Sequence, residues 1–158
     1  MKYFLTLTFL LLTLLPTSAV KKFEPNPINV AAIIVEKTDS TKVASTCEYY
    51  GFAYQGVEDG YTVMKRANGV EIKFTFRENC NPLKYPTILV KTKETHKEIN
   101  ERLKELSFDK EGNVYKAPYN QYSRYITQCS FGRGNTLIFQ RIYNNSLTLN
   151  KAMTVPED

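Results

Sequence analysis

Tryptophan is absent from this chain, histidine occurs once and cysteine three times. A hydrolytic site needs a nucleophile, a base and a group that orients the base. The sole histidine, His96, falls between Thr95 and Lys97 in the first turn of an expected helix, where it reads as a solvated surface residue rather than a base. Neither C-x-x-C nor H-x-x-x-H occurs, so the close ligand spacings of zinc sites are missing. The acidic pairs Glu58-Asp59 and Asp109 with Glu111 fall at expected strand ends and turns, with too few oxygen ligands in register for calcium. No metal and no cofactor is expected. Runs of five or six like charges are also lacking. The formal net charge of +5 is spread over interleaved basic and acidic residues, without the clustered stripe that nucleic acid requires.

What is present begins with MKYFLTLTFLLLTLLPTSA. One lysine precedes an apolar run from Tyr3 to Leu15, Pro16 leads into small residues, and Thr17 and Ala19 occupy the minus-three and minus-one places before Val20. That is the layout of a secretory signal peptide over residues 1–19, and its apolar core is shorter than the roughly 20 residues of a membrane span. Nothing later in the chain is long or apolar enough to span. The mature chain, 20–158, fits a single domain exported to the periplasm or medium. Its three cysteines enter an oxidising compartment, where one pair and one free thiol is the economical expectation. Cys80 lies in the polar loop NCNP and Cys129 in an expected strand, so the reading pairs Cys80 with Cys129 and leaves Cys47 free.

Two segments repeat the same order of signals, over 28–77 and 86–143. Val35 aligns with Val90, Asp39 with Glu94 and Lys42 with Lys97; after one extra helical residue, Phe52 aligns with Phe108 and Gly56 with Gly112. Each copy opens on a β-branched run, INVAAIIVE at 28–36 and PTILVKT at 86–92, which reads as a strand. A helix follows in each. Val43, Cys47 and Tyr50 share one face, with Gly51 placed as a left-handed cap. Ile99, Leu103 and Leu106 repeat that spacing behind the capping box Thr95/Glu98.

The clearest strand pair is GYTVMKRANGVEIKFTF, 60–76. Asn68-Gly69 suits a two-residue type I′ turn, which sets Ala67 opposite Val70, Val63 opposite Phe74 and Tyr61 opposite Phe76. The other face would then pair Arg66 with Glu71, Met64 with Lys73 and Thr62 with Thr75. In the second copy a short strand around 113–117 is followed by 122–131, a turn at GRGN (132–135) and a strand at 136–143 with apolar residues on both faces, hence central. A strand rather than a helix follows GRGN, so a hairpin turn and not a phosphate loop is expected there. The sequon Asn144-Asn145-Ser146 matters only in a eukaryotic secretory pathway. The expected fold is α+β, two β-α-β-β-β repeats forming a mostly antiparallel sheet with two helices packed on one face.

The element order and the hairpin EDGYTVMKRANGVEIKF resemble the tandem PepSY-like, β-lactamase-inhibitor-like modules of exported bacterial proteins, over about residues 33–143. That resemblance implies a protein that binds, and often inhibits, other proteins; it carries over no binding residue. The chain departs from it in a short first helix that holds Cys47 and in a Tyr-rich loop.

Residues 20–158 hold ten tyrosines and seven phenylalanines, more aromatic surface than a modest sheet with two helices needs. Tyr and Arg anchor interfaces because they bury much area at small entropic cost and keep a polar tip. Within VYKAPYNQYSRYITQC, Tyr115 and Tyr125 belong to strands. Tyr119, Asn120, Gln121, Tyr122 and Arg124 are left in the connecting loop as the expected binding residues. The leading expectation is a non-enzymatic binding module for a protein or peptide, acting through this loop or the sheet edge. The alternatives are an envelope structural or assembly factor and a thiol-dependent enzyme.

Overall fold

The computed structural model describes residues 24–76, 85–118 and 125–143. Among these the chain forms three helices and eight strands. Helix α1 (Pro27–Ile34) and α2 (Ser40–Tyr49) precede β1 (Ala53–Glu58), β2 (Tyr61–Lys65), β3 (Glu71–Thr75) and β4 (Thr87–Lys91). Helix α3 (His96–Glu105) precedes β5 (Asp109–Glu111), β6 (Val114–Lys116), β7 (Tyr125–Phe131) and β8 (Thr136–Tyr143). The strands make one antiparallel sheet in the order β1-β2-β3-β4-β8-β7-β6-β5. Each set of four is thus a meander, and the two meet where β4 pairs β8. The chain is α+β, and β8 is central as expected.

The first expected strand is a helix. INVAAIIVE lies largely in α1, whose N-cap is Asn26: its side-chain oxygen accepts the Ile28 N–H at 2.8 Å, with Pro27 in the first turn. Asn followed by Pro is a helix start signal, and a continuous apolar run does not distinguish a buried helix from a buried strand. Ile28, Val30, Ala31, Ile34 and Val35 are all fully buried, so tertiary packing outweighs the weak helix propensity of β-branched residues. The β-α-β-β-β frame therefore does not describe the first half, and Val35 and Val90 occupy different kinds of element.

Helix ends follow the sequence closely. Asp39 caps α2 by accepting the Thr41 and Lys42 N–H groups at 2.7 and 3.4 Å. At the other end Gly51 (φ +84) and Phe52 donate to the Glu48 and Cys47 carbonyls, the paired bonds of a Schellman motif. Helix α3 repeats the device. Thr95 and Glu98 form the reciprocal capping box, and Ser107 and Phe108 donate to the Lys104 and Leu103 carbonyls at 2.8 Å each. Here Ser107, not a glycine, holds the left-handed position at φ +62. The N-caps Asp39 and Thr95, the buried pairs Val43/Ile99 and Cys47/Leu103, and Phe52/Phe108 each stand 56 positions apart. No extra helical residue is needed. Gly56 lies at the bulge in β1 and Gly112 in the β5–β6 turn, so that aligned pair is not equivalent.

The β2–β3 hairpin has a register one residue away from expectation. Gly69 N–H donates to the Arg66 carbonyl and Arg66 N–H to the Val70 carbonyl, both at 2.9 Å. This is a three-residue loop, a type I turn closed by Gly69 at φ +83. The Asn68 side-chain oxygen accepts the Val70 N–H at 3.0 Å, a local bond that favours this turn. Met64 consequently faces Ile72, Val63 faces Lys73 and Thr62 faces Phe74. The slip carries β2 across the sheet, because side chains alternate with period two.

Register places Met64, Ile72, Val90, Leu137 and Phe131 in one row, and Phe74, Ile88, Phe139, Cys129 and Tyr115 in a second row on the same face. The buried cluster joins these to Ile28, Ile34, Val43, Cys47, Phe52, Ile99, Leu103 and Phe108. Each fully buried aliphatic or aromatic side chain contributes on the order of 1.5–3 kcal/mol from removal of apolar area from water.

Candidate functional site

Tyr119, Asn120, Gln121, Tyr122 and Arg124 lie outside the described residues, as does Cys80. Their described neighbours are anchored. Tyr115 is buried in the core, and Tyr125 packs edge-on against Tyr85 and Tyr143, with ring centroids at 5.5 and 5.9 Å. Arg141 lies 5.2 Å from the Tyr85 ring and donates to Glu36 at 2.9 Å and to Thr127 at 3.1 Å. This end of β4, β7 and β8 is thus tied to the segment that follows α1.

The described residues that stand out lie at the opposite edge of the sheet. Tyr49 is 75% exposed, Val57 64% and Tyr54 59%. Tyr49 ends α2, and Tyr54 and Val57 lie on β1, the strand that follows it; three features hold the corner between the two elements. The Schellman turn redirects the chain. Tyr49 and Tyr50 pack edge to face, their centroids 5.1 Å apart. Arg66, only 5% exposed, donates through Nε and Nη2 to the Tyr50 carbonyl at 3.1 and 2.9 Å, and its guanidinium sits 4.2 Å from the Phe52 ring centroid. Expected on the polar face opposite Glu71, Arg66 instead faces the core because of the hairpin register. It supplies a cation to the carbonyl end of α2, where the helix dipole favours one. Burial lowers its pKa from the usual guanidinium value, with Glu24 opposing that shift.

Among the described residues β1 pairs only with β2, so there its outer backbone groups form an edge. A bulge interrupts the pairing between Tyr54 and Gly56, and Glu58 bonds Lys73, which holds its carboxyl below the ordinary value. The other edge is built differently. β5 has three residues, Asp109, Lys110 and Glu111, all exposed, and Glu111 pairs with Lys116. Short, charged strands are a common way to blunt an edge against further pairing. The β1 corner went unrecognised in the sequence because AYQGVE shows no alternation from which its exposure could be read.

Cys129, expected to bridge to Cys80, is instead a free thiol buried in the core, and Cys47 is likewise free and buried. Burial pushes both thiols up to about 12. Neither supplies a thiolate nucleophile near neutral pH. His96 is exposed, with its ring 4.8 Å from that of Phe131. Among the described residues no group of three or more His, Cys, Asp or Glu side chains is placed to hold a metal ion, and no helix is long and apolar enough to cross a membrane. A mixed-charge cleft of about 650 Å³ lies between the β2–β3 loop and the start of α3, lined by Lys65, Lys91 and Lys93 together with Glu71, Glu94 and Glu98. No family model matches the chain, and no curated protein or solved structure matches it.

Proposed function

We propose that the protein is a non-enzymatic binding module, exported through its first nineteen residues, that takes an extended segment of a protein or peptide partner along β1. The contrast between the two sheet edges carries this reading: β5 is three charged residues, whereas β1 runs for six with Tyr54 and Val57 exposed, and Tyr49 is exposed at the end of the preceding helix. An added strand gains affinity from main-chain hydrogen bonds and selectivity from alternate side chains, and exposed tyrosines supply anchoring area. The resemblance to tandem PepSY-like, β-lactamase-inhibitor-like modules points the same way, since those proteins bind other proteins. We read the chain as two repeats in a changed frame, each a helix followed by a four-strand meander. The helices cover one face of the sheet and leave β1 accessible.

The test is selection of random ten-residue peptides on the immobilised full-length protein, followed by amide hydrogen exchange with a selected peptide bound. Exchange within Ala53–Glu58 should slow. The variant Tyr54→Lys/Val57→Lys, altered only at exposed positions, should bind at least tenfold more weakly. Protection confined to other strands, or undiminished binding by the double variant, would rule out β1.

A further inference from the structure

A second cleft, of about 390 Å³, opens between α3 and the β5–β6 hairpin. Its floor is aromatic: Tyr115 and Phe131 pack edge to face, with centroids 6.0 Å apart. On the helix side His96 lies over Phe131, and Asn100, one turn further on, accepts the Tyr115 hydroxyl proton at its side-chain oxygen. On the hairpin side the Lys110 ammonium sits 5.9 Å from the Tyr115 ring centroid.

The polar groups of this cleft are unbalanced. Among the described residues Lys110 is the only Lys or Arg that lines the cleft, and no carboxylate lines it. Strand alternation explains why. In Asp109-Lys110-Glu111 the two acids point to one face and Lys110 to the other, the face it shares with its register partner Tyr115. Glu111 is further occupied by Lys116. Asn100 uses its oxygen on Tyr115, so what it has left to offer is its amide N–H₂. The α3 backbone amides are not the source of attraction, since Thr95 and Glu98 already close that end. Lys110 and the Asn100 amide therefore stand as donors beside an aromatic floor, with the strand's carboxylates turned away; the Asn113 side-chain amide, both donor and acceptor, also lines the cleft.

We propose that this cleft is a binding site for a monocarboxylate bearing an aromatic or flat apolar group. The carboxylate would meet Lys110 and the Asn100 amide, and the flat group would lie over Phe131 and Tyr115 beside His96. The volume is at the small end of the range for ligand sites, about 300–1,000 Å³, which suits a single ring with a short acid chain. The inference is independent of the β1 edge.

Titration of the ¹⁵N-labelled full-length protein with 3-phenylpropionate tests it, with 3-phenylpropanamide and inorganic phosphate in parallel. N-acetylphenylalanine against its amide tells a peptide carboxyl terminus from a small free acid. Saturable shifts should centre on His96, Asn100, Lys110 and Phe131. Binding should weaken at least fivefold for the amide and for Lys110→Gln, a substitution at an exposed position, and phosphate alone should not compete. Equal binding of acid and amide would overturn the proposal. So would a dissociation constant unchanged within twofold in Lys110→Gln, or shifts confined to other surfaces.

Discussion

Replacing Arg66 tests both the hairpin register and the corner that presents β1. In the observed register the side chain is 5% exposed, makes two hydrogen bonds to the Tyr50 carbonyl at 3.1 and 2.9 Å, and stacks at 4.2 Å on Phe52. Hydrogen bonds from a charged donor contribute on the order of 1.5–3 kcal/mol net, and a desolvated cation–π contact about 1–2 kcal/mol. Against these stands the cost of keeping a guanidinium out of water, which its removal recovers in part. Arg66→Ala also loses the packing of the aliphatic stem and should destabilise by about 3 kcal/mol. Arg66→Met keeps the stem and should cost about half as much. In the register that a two-residue turn would have set, Arg66 would make an exposed pair with Glu71, worth about 0–1 kcal/mol. Urea unfolding followed by circular dichroism separates the cases, and thermal unfolding should show a fall in Tm of about 4 °C per kcal/mol for a domain of this size. A loss below about 1 kcal/mol in Arg66→Ala, at unchanged m-value, would refute the buried-cap account.

The Schellman turns predict a reciprocal pair of substitutions: Ser107→Gly relieves a left-handed non-glycine residue and should stabilise by about 0.5–1 kcal/mol, whereas Gly51→Ser imposes one at φ +84 and should cost about 1 kcal/mol, both read by thermal unfolding. The two core thiols should be silent to Ellman's reagent. A Cys80→Ser variant should show none in the native state and two in guanidinium, and a native signal would contradict their burial. Because the folded thiols are held up to about 12, they remain protonated where unfolded thiols ionise, so stability should fall as pH rises above the ordinary thiol value of 9.0. The caps act in the opposite direction. The Thr41 N–H lowers the Asp39 pKa and the Thr95 N–H that of Glu98, so these carboxylates stabilise fully above their ordinary values, and that contribution is lost as pH falls through the depressed ones. Asp39→Asn, which keeps the cap, should leave stability at pH 7 nearly unchanged and flatten part of the acid loss below about pH 4.

Local chemistry with a single structural outcome was legible in the sequence. The Thr95/Glu98 box, the Gly51 cap, the GRGN turn and the central strand at 136–143 stand where their residues indicate. Signals with two outcomes misled. Asn68-Gly69 serves a two-residue type I′ turn and a three-residue loop alike; the Asn68 side-chain bond to the Val70 N–H and the burial of Met64 and Arg66 go with the latter. The β-branched run at 28–36 suggests a strand, whereas Asn26 and Pro27 start a helix that buries Ile28, Val30, Ala31 and Ile34 and leaves Ile33 exposed. Asp109–Glu111 is too short and too charged to carry a period. The cleft above Phe131 depends on α3 and the β5–β6 hairpin meeting, a juxtaposition that no local pattern encodes, and the tyrosine-bearing stretch 119–124 lies outside the described residues.

The junction of β4 with β8 has a kinetic consequence. Every other pairing in the sheet joins strands adjacent in the chain, but Lys91 must wait for Thr136. During synthesis the first meander can zip along its hairpins while β4 offers a bare backbone edge until β8 emerges. Partners closed through local turns form quickly, and one long-range closure sets the pace. The interval in which Ile88, Leu89 and Val90 stand unpaired is when the chain is most open to association with another copy of itself.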